Sequence, residues 1–532
     1  MSIHNIPLEV LRQITDKTRK DHKWLRTVCR ALNAAVAPAF FSTIVLDVPA
    51  EPLKLELGLS HLEALAGGET MWSQYARTIV IKRLSPGTEM YKSSMGKGTE
   101  NSVSFEDIEF VTARLQGCLG PALDALKMIE TVIWHFDSDR SDESLWIPEA
   151  IHEFIASLPS QIDFRLETDE PGFARNYDCD FSRITNLRNL SIKSSDDMTL
   201  ANVCRALSHA VSRSGGLELL HLEARHSSGG VPPLHSLDDL FPGLTKSDIQ
   251  LQLAELRVFR CSFKLDAGTM PHFRSLRSLW WFDGNWEIWN ALRGIGVQLV
   301  NLHTDQVSDD MLEYVASYSG LKRLVIKFAD GQDDDDSNRL ADKFYESALP
   351  RHADSLVALF CRGTWEGRWS FGPHNFEQLA MLRKLESLGI NVNLVFAGFQ
   401  PRDQKATFTG RGARRIFEIE KDSEGRNSVH QFLRLVNQLP ITNAAILPAA
   451  SSKDRNNTCG NNAITHKETA IRKIDEAIQN FHAVECRPCC TLVLGGWNYY
   501  MVSGKDGKYR AVESAELSWP FSYEHLIGDR SW

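Results

Sequence analysis

Apolar and polar positions along the chain fall into a short phrase that keeps returning: an apolar residue, two variable ones, a second apolar residue, one variable and a third. It reads Leu187-Arg188-Asn189-Leu190-Ser191-Ile192, then Leu217-Glu218-Leu219-Leu220-His221-Leu222 and Leu276-Arg277-Ser278-Leu279-Trp280-Trp281. It recurs from Leu321 to Ile326, from Leu356 to Cys361 and from Leu385 to Ile390, with weaker copies beginning at Leu256 and Leu299. Alternation within the phrase predicts a strand whose alternate side chains face an interior. Between copies, Asp309 to Tyr318, Ala150 to Leu158 and Phe376 to Leu385 place apolar residues three and four apart, which predicts helices. The starting points lie roughly 20 to 40 residues apart, so the units are irregular repeats. No single unit can bury its own apolar face and neighbours must stack. The predicted fold class is α/β, a curved parallel sheet with helices on its convex side.

The same alternation places earlier strands at Ala76 to Lys82 and Leu126 to Trp134, with a helix from about Phe105 to Cys118 between them, and another strand at Thr43 to Val48. Stretches rich in Gly, Ser, Asn, Asp or Pro predict loops at Ser85 to Ser104, Arg225 to His235, Ala329 to Ser337 and Ser451 to Lys467. Near the end, a helix at Val429 to Gln438 and a hairpin pairing Tyr499 to Val502 with Tyr509 to Val512 read as a terminal cap. At the start, Pro7 opens a short amphipathic helix with Leu8, Val10, Leu11 and Ile14 at helical spacing. A polar run from Thr15 to Lys23 precedes a second helix that puts Leu25, Val28, Leu32 and Ala35 on one face and ends at Pro38. These features divide the chain into a small helical domain (1–42), a transition with the first strand–helix units (43–160), the main repeat region (161–400) and a C-terminal region with further irregular repeats and the cap (401–532).

The run Ile6-Pro7-Leu8-Glu9-Val10-Leu11, followed by Leu25-Arg26-Thr27-Val28-Cys29-Arg30-Ala31-Leu32-Asn33, resembles an F-box. The continuation Pro38-Ala39-Phe40-Phe41-Ser42-Thr43-Ile44-Val45-Leu46 is similar to that of the F-box proteins with leucine-rich-repeat-like domains abundant in fungi. The segment between Ile14 and Leu25 is shorter and more charged than the family pattern, and Asp21 stands where an Asp-Leu pair is expected. The resemblance implies a small all-α F-box docking on a Skp-type adaptor, and through it on a cullin-RING ubiquitin ligase. A leucine-rich-repeat-like solenoid would then hold the target protein. The adaptor contacts it implies are Ile6, Pro7, Leu8, Leu11, Ile14, Trp24, Leu25 and Val28.

Composition narrows the alternatives. The 532 residues exceed what one compact core usually fills, and 43% hydrophobic content is that of an ordinary folded protein. A net charge of -9 argues against a broad nucleic-acid surface. The N-terminus lacks a signal-like run and no apolar stretch reaches spanning length, which predicts a soluble chain, cytoplasmic or nuclear, without membrane partners. Scattered cysteines such as Cys29, Cys118, Cys204, Cys261 and Cys361 read as reduced core thiols.

Three clusters carry candidate chemistry. Cys486, Cys489 and Cys490, with Cys459, His466 and His482, could assemble a zinc site, but the second close pair of strong zinc motifs is missing and free thiols explain them better. Asp333 to Asp336 reads as a solvated run capping a helix that begins near Asn338. Trp280, Trp281, Trp286 and Trp289, with Trp365 and Trp369 in a later loop, are candidate target-binding anchors, against the plainer reading of core packing. No phosphate-binding loop, dinucleotide fingerprint, nucleophile elbow or His-Glu-x-x-His motif occurs; His152-Glu153 lacks the second histidine. The sequence therefore predicts a non-enzymatic target adaptor with no cofactor. The alternatives are an interaction scaffold uncoupled from ubiquitination and, behind it, a solenoid-based enzyme or small-ligand binder.

Overall fold

In register, the repeated leucines form continuous rows, and these rows decide the architecture. The computed structural model describes residues 6–16, 21–49, 51–68, 70–84, 105–136, 146–168, 181–226, 235–244, 250–261, 263–264, 266–282, 287–392, 428–451, 455, 461–481, 491–494, 498–502 and 509–512. The chain divides into two units, Met1–Ser275 and Leu276–Trp532.

The first unit opens with helices α1 (Leu8–Asp16), α2 (His22–Val28) and α3 (Arg30–Phe40). The Pro7 carbonyl accepts the N–H groups of Val10 and Leu11, closing the first turn. Leu11, Leu32 and Ala35 make a small core, with Ile6, Leu8, Cys29 and Ala31 packed against it. The expected single second helix is two helices. Cys29, extended at φ -160° and ψ 165°, breaks it, so Leu32 and Ala35 turn inward while Val28 is left on the outside. Pro38 does not end α3 either: the helix continues to Phe40 and the Phe41 N–H bonds to Ala37 O. So near the C-terminus the proline forfeits one ladder bond without stopping the turn.

Seven parallel strands follow: β1 (Thr43–Leu46), β2 (Thr78–Ile81), β3 (Thr131–Phe136), β4 (Ile162–Thr168), β5 (Leu187–Asp196), β6 (Leu219–His226) and, after the two-residue β7 (His235–Ser236), β8 (Glu255–Phe259). Each pairs with the next of the seven in chain order; β7 pairs separately with β9 (Phe263–Lys264). Helices such as Pro52–Ala66, Phe105–Asp124, Trp146–Ser157 and Asp197–Ala206 occupy the connections. One row runs Leu46, Ile81, Trp134, Leu166, Ile192, Leu222, Val258, all buried. Burial of each such side chain contributes about 1.5–3 kcal/mol.

The second unit repeats the scheme with β10 (Ser278–Phe282), β11 (Asn301–Thr304), β12 (Arg323–Ile326), β13 (Ala358–Cys361), β14 (Ser387–Asn391), β15 (Asn443–Leu447) and β16 (Thr491–Leu494), all parallel. The antiparallel β17 (Asn498–Val502) and β18 (Tyr509–Val512) form the expected hairpin strands; the turn between them lies outside the described residues. Its leucine row is Leu279, Leu302, Leu324, Leu359, Leu388, Ala444, Leu492. The neighbouring row points to the other face: Trp280, His303, Val325, Phe360, Gly389, Ala445, Val493. Here Phe360 lies across Gly389, where a Cβ would come within 2.5 Å of its ring.

Two expected loops are partly helical. Helix Asp334–Lys343 begins inside the aspartate run: Asp333 is its N-cap, accepting the Asp336 N–H at 2.8 Å, and three aspartates fill the first turn, where the helix dipole favours them. It therefore starts at Asp334 and not near Asn338. Helix Asn461–Asn480 starts within the stretch expected as a loop to Lys467, whereas the helix expected from Phe376 to Leu385 stops at Ala380. The loop expected at Ser85 to Ser104 lies outside the described residues. Among the described residues no helix is long and apolar enough to cross a membrane.

Buried histidines tie 3-10 turns to the connections and helices beside them. In the first unit the Leu251 N–H donates to His272 Nδ1 at 3.0 Å. In the second, Leu321 N–H donates to His352 Nδ1 at 3.2 Å while His352 Nε2–H donates to Val315 O at 3.0 Å. Only the neutral ring can accept at Nδ1. Burial lowers the pKa of His221, His235, His272, His352 and His374. The unfolded chain therefore binds these protons more readily, and stability is lost as pH falls below the ordinary imidazole value of about 6.5. The urea midpoint should drop between about pH 7.5 and about pH 5.5. His352→Ala should lose about 1–3 kcal/mol at the higher pH and show a smaller pH dependence. A midpoint that rises on acidification would contradict this.

Candidate interaction surfaces

Two surfaces stand out, one on the N-terminal helices and one on the strand face that the leucine rows leave outward. On the helices, the small core accounts for Leu11, Leu32 and Ala35 but not for four other apolar side chains. Val10 (42% exposed) and Ile14 (51%) are one turn apart on α1; Trp24 (68%) and Val28 (65%) are one turn apart on α2. The entry to α2 is held in place, since His22 Nε2 meets Thr15 O at 2.9 Å. Behind α2, the Arg26 guanidinium lies 4.7 Å from the ring centres of both Phe40 and Phe41, tying it to α3. Of the residues expected to meet an adaptor, Ile14, Trp24 and Val28 are open to solvent, Pro7 is exposed, Ile6, Leu8 and Leu25 are half-buried, and Leu11 is in the core. Val10, on the predicted helix but not among the expected adaptor contacts, joins the exposed set, one turn from Ile14.

On the strands of the first unit, the outward rows are polar. They run Thr131, Asp163, Asn189, Leu219, Glu255; then Ile133, Arg165, Ser191, His221, Arg257; then His135, Glu167, Lys193, Glu223, Phe259. Sequence reasoning passed over β4, which lacks the leucine phrase. Its strict alternation, Ile162-Asp163-Phe164-Arg165-Leu166-Glu167-Thr168, was the signal, and Ile162, Phe164 and Leu166 are buried with Thr168.

Counter-charges sit beside the acids on this face. Arg188 and Asn189 hold Asp163, each at 2.8 Å; His135 lies 3.2 Å and Arg225 3.9 Å from Glu167; Arg257 meets Glu255 at 2.6 Å. Glu223 lies 3.4 Å from His221 and 3.3 Å from Lys193. Contact with His221, and then the charge of Lys193, hold the Glu223 carboxyl down at about 2 against the opposing effect of burial. In the neutral tautomer protonated at Nε2, the nitrogen nearer Glu223, His221 Nδ1 accepts from the Ser191 hydroxyl at 3.1 Å. Burial keeps His221 below its ordinary pKa although Glu223 pulls the other way. A hollow of 240 Å³ opens on this face, lined by Arg165, Asn189, Ser191, Lys193 and His221 among others.

The tryptophans separate. Trp280 points outward, half-buried, and stacks on His303 at 3.8 Å and 6°. Trp281, Trp289 and Trp369 are core residues, at 2%, 1% and 2% exposure, so the target-anchor expectation gives way to packing for these three. Trp289 stacks on Tyr314 and Trp369 packs on Phe344 because both follow strands whose connections fold back over the sheet. Trp365 is half-buried and bridges to Ala450; Trp286 lies outside the described residues. So do Cys459, His482, Cys486, Cys489 and Cys490 of the zinc candidate, and the His466 side chain. A second hollow, 690 Å³, includes Asp309 and Asp336, but Arg339 and Lys343 already pair with Asp309 at 2.8 and 2.7 Å, and Arg339 with Asp336 at 2.7 Å. No protein-family model matches the chain, and no curated protein sequence matches it.

Glu223→Gln removes the carboxylate that supports protonation of His221, so the His221 pKa should fall further below about 6.5 in an NMR titration of the imidazole protons. Stability should change by less than about 1 kcal/mol, since the ion pair with Lys193 is partly solvated. Titration of His221 at or above the ordinary value in the variant would refute this assignment of the face.

Proposed function

We propose that the chain is the target-recognition adaptor of a Skp/cullin/F-box-type ubiquitin ligase. Helices α1–α3 act as the F-box, and the strand–helix array is an irregular leucine-rich-repeat-like solenoid that holds the target protein. The observation that carries the reading is the exposure of Val10, Ile14, Trp24 and Val28 on helices whose own core is already filled. Four large apolar side chains on so small a helical element are favourable when a partner removes them from water. They lie within the stretch that resembles an F-box.

In this mechanism the chain makes and breaks no bonds. One surface fixes it to the ligase and the other fixes the target, so the target's lysines sit at high effective concentration near a charged conjugating enzyme. The outward strand rows suit the second task, because the helices cover one face of the sheet and the other carries hydrogen-bonding and charged groups.

The test is co-purification of the full chain with a Skp-type adaptor, set against Ile14→Asp, Trp24→Asp and Val28→Asp. All three positions are more than half exposed, so these variants keep their fold, which a charge at buried Leu11 would not allow. A stoichiometric wild-type complex is expected, weakened more than roughly a hundredfold by a charge at Trp24. Absence of any complex, or a complex indifferent to all three charges, would leave a scaffold uncoupled from ubiquitination as the better account.

A further inference from the structure

On the outward face of β3–β6 and β8, four carboxylates, Asp163, Glu167, Glu223 and Glu255, stand beside four full cations, Arg188, Arg225, Lys193 and Arg257. Arg165 is the surplus charge. It stands in the central row, between Ile133 on β3 and Ser191 on β5, and it is exposed. Among the described residues it has neither an ion pair nor a hydrogen bond from its side chain. It lines the 240 Å³ hollow together with the Ser191 hydroxyl. A lone surface arginine is ordinary, but one lining a hollow whose other charges have partners on the same face leaves a single positive position for a partner to answer.

We propose that this hollow receives the carboxylate of an aspartate or glutamate side chain from the bound target, paired with the Arg165 guanidinium. The proposal rests on the reading of the strand face as the target-binding surface. The planar guanidinium presents two parallel N–H donors that match a carboxylate. Leu219, in the same lining, offers apolar contact to the acid's methylene stem. Size favours a side chain over a free metabolite, since the hollow falls below the roughly 300 Å³ at which small-molecule sites begin.

The experiment pans a random-peptide phage library against the full chain and measures selected peptides by fluorescence polarisation. Wild-type chain should enrich Asp or Glu at one fixed position. Arg165→Ala should weaken those peptides roughly tenfold to a hundredfold, Arg165→Lys less, and Arg165→Glu should select Lys or Arg at that position instead. Because Arg165 is exposed, unchanged melting curves are expected for all three variants, and Arg165→Lys preserves the charge if Arg165→Glu misfolds. Selection of peptides without acidic enrichment, failure to select any, or equal binding of acidic peptides to Arg165→Glu would each overturn the proposal. The selection needs no adaptor, so loss of adaptor binding with acidic selection intact would sink the ligase reading and leave the Arg165 site standing.

Discussion

At the start of most strands, one peptide carbonyl accepts two successive N–H groups from the next repeat. Ser42 O takes Arg77 and Thr78, Arg77 O takes Glu130 and Thr131, and Glu218 O takes Ala254 and Glu255. In the second unit Arg277, Val300, Lys322, Val357 and Glu386 do the same for the strands that follow. This forked bond sets where each strand begins relative to its neighbour, and a slip of one residue would send every side chain to the wrong face. With the start fixed, the leucines of each repeat fall into one buried row, and the residues between them fall into an outward row. Insertions of different length between strands leave the register untouched, which is how such irregular spacing yields so regular a ladder.

What the outward rows contain then distinguishes the two units. In the first, the central row runs Ile133, Arg165, Ser191, His221, Arg257, and Arg257 is paired within the face while Arg165 is not. In the second, Val325, Phe360, Ala445 and Val493 are buried, with Ala358 and Leu447 in the same apolar cluster, so the sheet there is buried on both faces, as parallel sheets usually are. The first unit thus presents a polar face, and the second relies on packing such as Phe360 over Gly389.

Much of this was legible in the residues. Every copy of the leucine phrase became a strand, and in the clear copies the fourth and sixth positions map onto the buried rows. Strands β4, β15 and β16 were not, and for different reasons: β4 signals by alternation alone, while Asn443-Ala444-Ala445-Ile446-Leu447 and Thr491-Leu492-Val493-Leu494 are short apolar runs that periodicity cannot assign. The break at Cys29 was hidden because Leu25, Val28, Leu32 and Ala35 keep helical spacing through it. That break turns Val28 outward, so the apolar surface on which the ligase reading rests became visible only in three dimensions. Likewise, Arg165 is one arginine among many until the register shows that its neighbours' charges are matched.

In the proposed function the chain holds two partners on separate surfaces, the N-terminal helices and the polar strand face. Hydrogen–deuterium exchange of the full chain, alone and saturated with a Skp-type adaptor, tells the two surfaces apart. Slowed exchange confined to peptides within Leu8–Val28, with peptides from β4, β5 and β6 unchanged, is the predicted result. Slowed exchange on those strands, or none on the helices of a complex that has formed, would contradict it.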